Sequence, residues 1–245
     1  MAHKYFYGIF PIFLLFAIFF SFSGILFSRN ILSSYPLRTA STETADSRVI
    51  VIDAGHGGED GGACTYGEIA EKDLNLQISK NMYDFLTFCG IKTVMTRNED
   101  ILLYDKNSNY QGHKKSQDLA QRLKIARSYF DSILISIHMN AFPEAKYSGL
   151  QVYYSGNDPS SQILADFVQN NTKSKISPQN NRRIKKATEQ IYLLNRFEGT
   201  GILIECGFMS NPEEYKQLCS VEYQKRLAIT ICESVIKYID NISKE

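Results

Sequence analysis

No tryptophan occurs in this 245-residue sequence, and its charges almost cancel, with 27 basic against 26 acidic side chains. A near-neutral chain has no global field to gather an acidic polymer, which argues against nucleic acid as a partner. Cysteine is sparse: Cys64, Cys89, Cys206, Cys219 and Cys232 make an odd set without a C-x-x-C pair. That usage argues against a disulfide framework and a cysteine-ligated structural zinc, and free thiols fit a reducing or anaerobic setting. Phosphate-loop patterns are missing as well. The glycine-rich segment Gly55–Gly62 lacks the lysine of G-x-x-x-x-G-K-[ST] and does not match G-x-G-x-x-G. No H-E-x-x-H stretch is found, so a metal site would have to be assembled from dispersed residues.

Charge is also missing from Tyr5 to Ser28, a run holding many of the phenylalanines. Roughly 20 apolar residues cross a hydrocarbon core, and this run suffices. A cleavable signal peptide has a shorter apolar region of about 7–15 residues before a small-residue site. Ser21-Phe22-Ser23-Gly24 imitates such a site but lies inside the run. An uncleaved signal-anchor over residues 1–29 is therefore expected, with cleavage as the rival. Residues 30–46, rich in Ser and Thr with Pro36, read as a flexible tether, leaving 47–243 as one domain. Lys4 and the amino terminus stand against Arg29 and Arg38, so charge does not decide the orientation.

What the remainder has is short β-branched runs that end near polar residues. Val49–Ile52 leads through Asp53 to His56, Ile133–Ile137 to His138, and Ile202–Ile204 to Glu205. Such runs read as buried strands of a largely parallel sheet, whose ligands sit at the carboxyl ends of the strands. Further strands are expected at Ile91–Met95, at Gly149–Tyr154 (antiparallel or at an edge) and at Ile191–Leu194. Helices are expected near Lys72–Phe88, Gln117–Tyr129, Ser160–Lys173 and Val221–Ile239. In the first of these, Leu74, Ile78, Met82 and Phe85 share a face and Gly90 marks a stop. The alternation predicts an α/β three-layer sandwich, a mostly parallel twisted sheet of about six strands between helices. The polar stretch Asn98–Ser116 reads as a functional or mobile loop.

Four residues carry candidate chemistry, and each has a plainer reading. His56, in a glycine loop, is most simply a loop histidine bonded to backbone. Glu71 stands where a helix dipole favours a carboxylate. His138 is as well explained as a satisfied core histidine. Glu205 is the strongest signal, because a carboxylate following an apolar run is partly desolvated. Its plainer explanation is an ion pair with Arg97 or Arg122. Convergence of the strand ends would make the set a hydrolytic zinc site.

The residues also carry a family likeness. Asp53-Ala54-Gly55-His56-Gly57-Gly58-Glu59-Asp60-Gly61-Gly62-Ala63, Glu71-Lys72-Asp73-Leu74, Ser136-Ile137-His138-Met139-Asn140-Ala141 and Glu205-Cys206-Gly207-Phe208-Met209-Ser210-Asn211 resemble, in order and separation, the motifs of the zinc-dependent N-acetylmuramoyl-L-alanine amidases (the amidase 3 family). The resemblance covers about residues 48–240. It implies that His56, Glu71 and His138 bind Zn²⁺ and that Glu205 is the catalytic acid/base. A short chain with an amino-terminal anchor and no wall-binding repeats looks most like the spore-cortex amidases of the CwlD type, which are associated with muramic δ-lactam formation and germination. Peptidoglycan is then the substrate, with the catalytic domain exported to the cell envelope or the forespore intermembrane space and the amino terminus cytoplasmic. An activator protein and a deacetylase partner are left open. Arg127 stands where the family commonly has Asn, and Ala54 where Pro is frequent; neither touches the implied metal set. No helical insertion able to plug the site is evident. The basic stretch Arg182–Lys186 reads as a solvated loop in preference to a contact with anionic wall polymer. Rival readings are a non-catalytic wall-binding domain, a zinc peptidase acting within the stem peptide, and a cysteine hydrolase using Cys206 with His138. Strand alternation points Cys206 away from Glu205, against the last.

Overall fold

The β-branched runs do become strands. The computed structural model describes residues 48–65, 69–107 and 112–243. In chain order these form β1 (Val49–Ala54), α1 (Glu71–Phe88), β2 (Thr93–Met95), α2 (Lys114–Arg127), β3 (Ser132–Asn140), β4 (Gln151–Tyr154), α3 (Ser160–Lys175), β5 (Lys185–Lys186), α4 (Tyr192–Arg196), β6 (Gly201–Phe208), α5 (Pro212–Leu218) and α6 (Val221–Ile242). The sheet order is β2-β1-β3-β6-β4-β5. β1 pairs in parallel with both β2 and β3, β3 pairs in parallel with β6, and β4 runs antiparallel to β6 with β5 parallel beside it. The sheet is mixed, with four parallel pairings and one antiparallel.

Strand alternation divides the apolar side chains between two cores. Ile50, Ile52, Ile133, Ile135, Ile137, Ile202 and Ile204 pack against α1, α3 and α6 through Leu74, Ile78, Met82, Val168, Ile231 and Val235. On the other face, Val49, Val51, Leu134 and Leu203 meet Leu123 and Ala126 of α2 and Leu193 and Leu194 of α4. Helices thus cover both faces, as the alternating pattern predicts. The same alternation places Asp53, Ser136, His138 and Glu205 on the second face.

Three expectations are corrected. Ile191–Leu194 is not a strand. Asn195 N bonds Ile191 O and Phe197 N bonds Leu193 O, closing the helical turns of α4 and sending Leu193, Leu194 and Phe197 into the second core. A four-residue apolar run is too short for its period to distinguish strand from helix. His138 is not beyond its strand either, and Glu205 does not end its own. β3 continues to Asn140 and β6 to Phe208, because the two strands keep pairing past a register shift between His138 and Asn140. The two-residue edge strand β5 lies in the basic stretch expected to be a loop. The proposed anchor (1–29) and tether (30–46) lie outside the described residues; among the described residues no helix is long and apolar enough to cross a membrane.

Candidate active site

The His56 loop leaves the carboxyl end of β1 under constraint. His56 itself adopts a left-handed φ of 60°, a conformation uncommon outside glycine that is often retained at functional sites. Two arginines hold the backbone there. Arg122 Nη1 donates to Ala54 O at 2.6 Å and Arg122 Nη2 to His56 O at 2.6 Å. Arg97 Nε donates to Ala54 O at 2.8 Å and Arg97 Nη2 to Gly55 O at 2.9 Å. Lys72 Nζ reaches Gly58 O at 2.7 Å and pairs with Asp100 at 2.6 Å, fastening the loop's far side to the start of α1.

Beneath this loop lies a buried charge cluster. Arg122 is 1 % exposed, and it pairs with Asp53 at 2.8 Å and with Asp118 at 2.7 Å. Thr96 Oγ1 and Ser136 Oγ also donate to Asp53, at 2.7 and 2.6 Å. Burial alone would raise the Asp53 pKa, but the Arg122 charge and the hydrogen bonds from Ser136 and Arg122 outweigh it and bring it down to about 2. Both arginines are therefore committed to the loop and to Asp53 and Asp118, so the ion pair that offered a plain explanation for Glu205 does not form.

Glu71 opens α1 and turns inward. His138 Nδ1 lies 3.0 Å from Glu71 Oε1 and His56 Nε2 lies 3.3 Å from the same oxygen. Met139 N donates to Oε1 and Ala63 N to Oε2, at 3.0 and 2.9 Å, and Asn75 Nδ2 bridges Glu71 Oε1 and Gly55 O at 3.3 and 3.1 Å. Burial acts to raise the Glu71 pKa, but these histidines more than offset it and hold the carboxylate well below its usual range. One donor atom each from His56, Glu71 and His138 falls within 4.8 Å of the others. On its outer side His56 Nδ1 lies 3.0 Å from Asp60 Oδ1, poorly aligned for a hydrogen bond. Burial lowers the His56 pKa, and Glu71 and Asp60 together raise it further than that.

Two glycines make room for this arrangement. A Cβ on Gly55 would lie 2.3 Å from Cε1 and Nε2 of His138. One on Gly62, whose φ is +67°, would lie 2.5 Å from Glu71 Oε2 and 2.8 Å from His56 Cδ2.

Glu205 completes the group as the register partner of His138 on the adjacent strand. Its Oε2 is enclosed without a hydrogen-bond partner. Burial, opposed by His138 and His56 and reinforced by Glu71, lifts its pKa to about 7. His56, His138 and Glu205 line one cleft of about 240 Å³, floored by Asp53, Ser136 and Leu203 and walled by α2 and by residues 190–193. Cys206 lies in the opposite core, 1 % exposed, and burial pushes its thiol well above the usual range. It faces away from His138, as alternation predicts.

Two imidazoles and a carboxylate around one point are a zinc donor set with a fourth position left over. An unpartnered buried carboxylate beside them is costly unless a cation or a transferable proton compensates it. The donor set, the glycine clearances and the orphaned Glu205 oxygen all fit a divalent ion held by His56, Glu71 and His138. The structure thus gathers all four residues singled out from sequence. It adds Arg97, Arg122, Asp53, Asp118 and Asn75 as supports. The sequence offered only Arg97 following β2 and Arg122 on α2, with nothing to pair either with the loop.

Comparison with known proteins places this geometry. Residues 50–237 match the family model described as N-acetylmuramoyl-L-alanine amidase. The germination-specific N-acetylmuramoyl-L-alanine amidase of Bacillus subtilis is 35% identical over 191 residues, 78% of this chain and 79% of that protein. The CwlD amidase of Clostridioides difficile, solved in complex with the GerS lipoprotein, superposes with a TM-score of 0.74 at 34% identity, covering 79% of this chain and 98% of that one. The amidase AmiC2 of Nostoc punctiforme gives a TM-score of 0.67 at 32% identity over 80% of this chain and 98% of its own. With a matched span that runs from β1 into α6 and takes in every residue of the cleft cluster, this chain belongs to the N-acetylmuramoyl-L-alanine amidase family.

Proposed function

We propose that this chain hydrolyses the amide joining the lactyl group of N-acetylmuramic acid to L-alanine in peptidoglycan, with His56, Glu71 and His138 as zinc ligands and Glu205 as acid/base. The observation that carries this reading is the orphaned Glu205 oxygen in the cleft lined by the two histidines of a three-donor cluster. Bound zinc would supply a Lewis acid for the carbonyl and make water available as hydroxide near neutral pH. Glu205 takes the proton of the attacking water and passes it to the amide nitrogen as the C–N bond breaks, releasing a lactyl carboxyl group and the free amine of L-alanine. A pKa near 7 suits a group that must both accept and return a proton at neutral pH. Glu71, held ionised, stands against both imidazoles as the third ligand, while Arg97 and Arg122 fix the loop that presents His56.

The same reading extends to spore-cortex maturation through muramic δ-lactam and to germination, supported by the germination-specific relative. Residues 1–29 serve as a signal-anchor, 30–46 as a tether and 47–243 as the exported catalytic domain in the cell envelope or forespore intermembrane space. The lipoprotein complex of the clostridial relative supports a partner protein here too. The test is to incubate the detergent-solubilised full chain with purified peptidoglycan, with zinc and then with chelator. Mass spectrometry should find zinc-dependent peptides beginning with L-alanine. Cleavage inside the stem peptide would make the protein a zinc peptidase instead, and no release under any condition would leave the non-catalytic reading.

A further inference from the structure

The register shift in β6 has a steric consequence one strand away from the zinc cluster. Glu205 stands opposite His138 and Phe208 opposite Asn140, so β6 advances three residues while β3 advances two. Such a bulge brings Phe208 to the face that Glu205 occupies, where an unbroken strand would turn it away. On the other side of β6, Gln151 is the register partner of Glu205, and Tyr153 of Leu203. Arg182, expected from sequence to be solvated, lies across this surface. Its guanidinium carbon sits 4.4 Å from the Phe208 ring centroid, Nη1 lies 3.2 Å from Gln151 Oε1, and Nε donates to Ser148 O at 2.7 Å.

All of these partners are neutral. Arg48, Arg122 and Arg127 each hold a carboxylate, whereas among the described residues no carboxylate lies within ion-pair distance of Arg182. Glu214, whose field reaches Arg182, is occupied by the backbone N–H groups of Gly149 and Phe208, each at 2.8 Å. Lys185, register partner of Tyr153 at the exposed edge, adds a second positive charge to the same face. A guanidinium fixed by stacking and hydrogen bonds, with no carboxylate in direct contact among the described residues, is a preorganised receptor for a planar anion.

We propose that Arg182 binds a carboxylate on the peptide side of the substrate, at the residue following L-alanine. This rests on the amidase reading and adds a specificity-determining group to it. The lactyl carboxyl is consumed in the scissile amide, so the anionic groups lie in the peptide. Neighbouring strands are about 4.8 Å apart, so Gln151 stands about 5 Å from Glu205, and Arg182, 3.2 Å from the Gln151 Oε1, lies just beyond it. An extended peptide covers that distance in about two residues.

The experiment uses the full-length chain with zinc and two glycan–peptide fragments that differ only in whether the carboxyl of the second peptide residue is free or a carboxamide. The wild type should show about a tenfold higher KM for the carboxamide. Arg182→Gln should raise KM about tenfold on the free acid, keep kcat within about twofold, and no longer distinguish the two fragments. Arg182→Lys, which keeps charge but loses the fork, should lie between them. The assignment is overturned if the wild type is indifferent to amidation, a result that needs no variant to fold. It is equally overturned if Arg182→Gln still discriminates or loses kcat in place of KM. A wild type that releases no peptide from either fragment removes the amidase reading and this assignment with it.

Discussion

Glu205 faces conflicting demands that only chemistry reconciles. Its Oε2 is buried without a partner, and the two arginines that would have neutralised it are bound elsewhere. Glu205→Gln keeps the shape and removes the proton exchange. It should retain zinc at wild-type stoichiometry while kcat falls by about 10²–10⁴-fold, the usual share of general acid/base catalysis. Elemental analysis beside a peptide-release assay checks this, and a zinc-loaded variant with full turnover would remove Glu205 from the reaction. Gly55 makes the complementary case. A methyl group there would meet the His138 ring at 2.3 Å, so Gly55→Ala should push the imidazole out of line with Glu71. Zinc affinity should drop about 10–100-fold, the range seen when the support of a metal ligand is disturbed. Titration against a competing chelator reads it, and unchanged affinity would mean that the ring has room to move.

Among the elements, β1 and α2 are joined through Arg122, which links Asp53, Asp118 and the carbonyls of Ala54 and His56. Arg122→Met fills much of the volume but strands two buried acids, so unfolding by denaturant should show a loss of about 3–5 kcal/mol. An Arg122→Met protein as stable as the wild type would mean that solvent or rearrangement satisfies Asp53. The wild-type cluster also sets an acid limb. The Asp53 pKa falls from 3.8 to about 2 on folding, so its contribution is complete above about pH 4 and is lost as pH drops through 2. That loss is about 2 kcal/mol. Little of this was legible in one dimension, since apart from Arg122–Asp118, four positions apart, the bonds join residues 43 to 83 positions apart. The strands themselves were legible, because β1, β3 and β6 are β-branched runs buried on both faces. The four polar residues stood out because each interrupts or follows such a run or opens a helix. The turn at Tyr192–Arg196 and the placement of Arg182 were misread for one physical reason: short segments take their conformation from what they pack against, here the second core and the Phe208 ring.

At the scale of the whole domain, the site couples metal binding to stability through pH. Without metal, Glu205 keeps its proton up to about pH 7 when folded, against 4.5 as the ordinary value. Between those values the folded chain holds more protons than the unfolded one, so stability falls as pH rises through this window, by about 3 kcal/mol at most. His56 acts in the same sense. Its raised pKa gives stability that is present below 6.5 and lost as pH climbs past the folded value. The metal-free protein should therefore melt at a lower temperature at pH 8 than at pH 5, and metal-free Glu205→Gln should show a shallower decline. Zinc competes with protons for both imidazoles, so its stabilisation grows as they deprotonate. Added zinc should raise Tm more at pH 8 than at pH 5 and flatten or reverse the slope. Because the chain has no tryptophan, circular dichroism or calorimetry is the suitable probe. Equal zinc increments at both pH values would mean that the ion binds away from His56 and His138, and the shared centre would have to be abandoned whatever the activity of the protein.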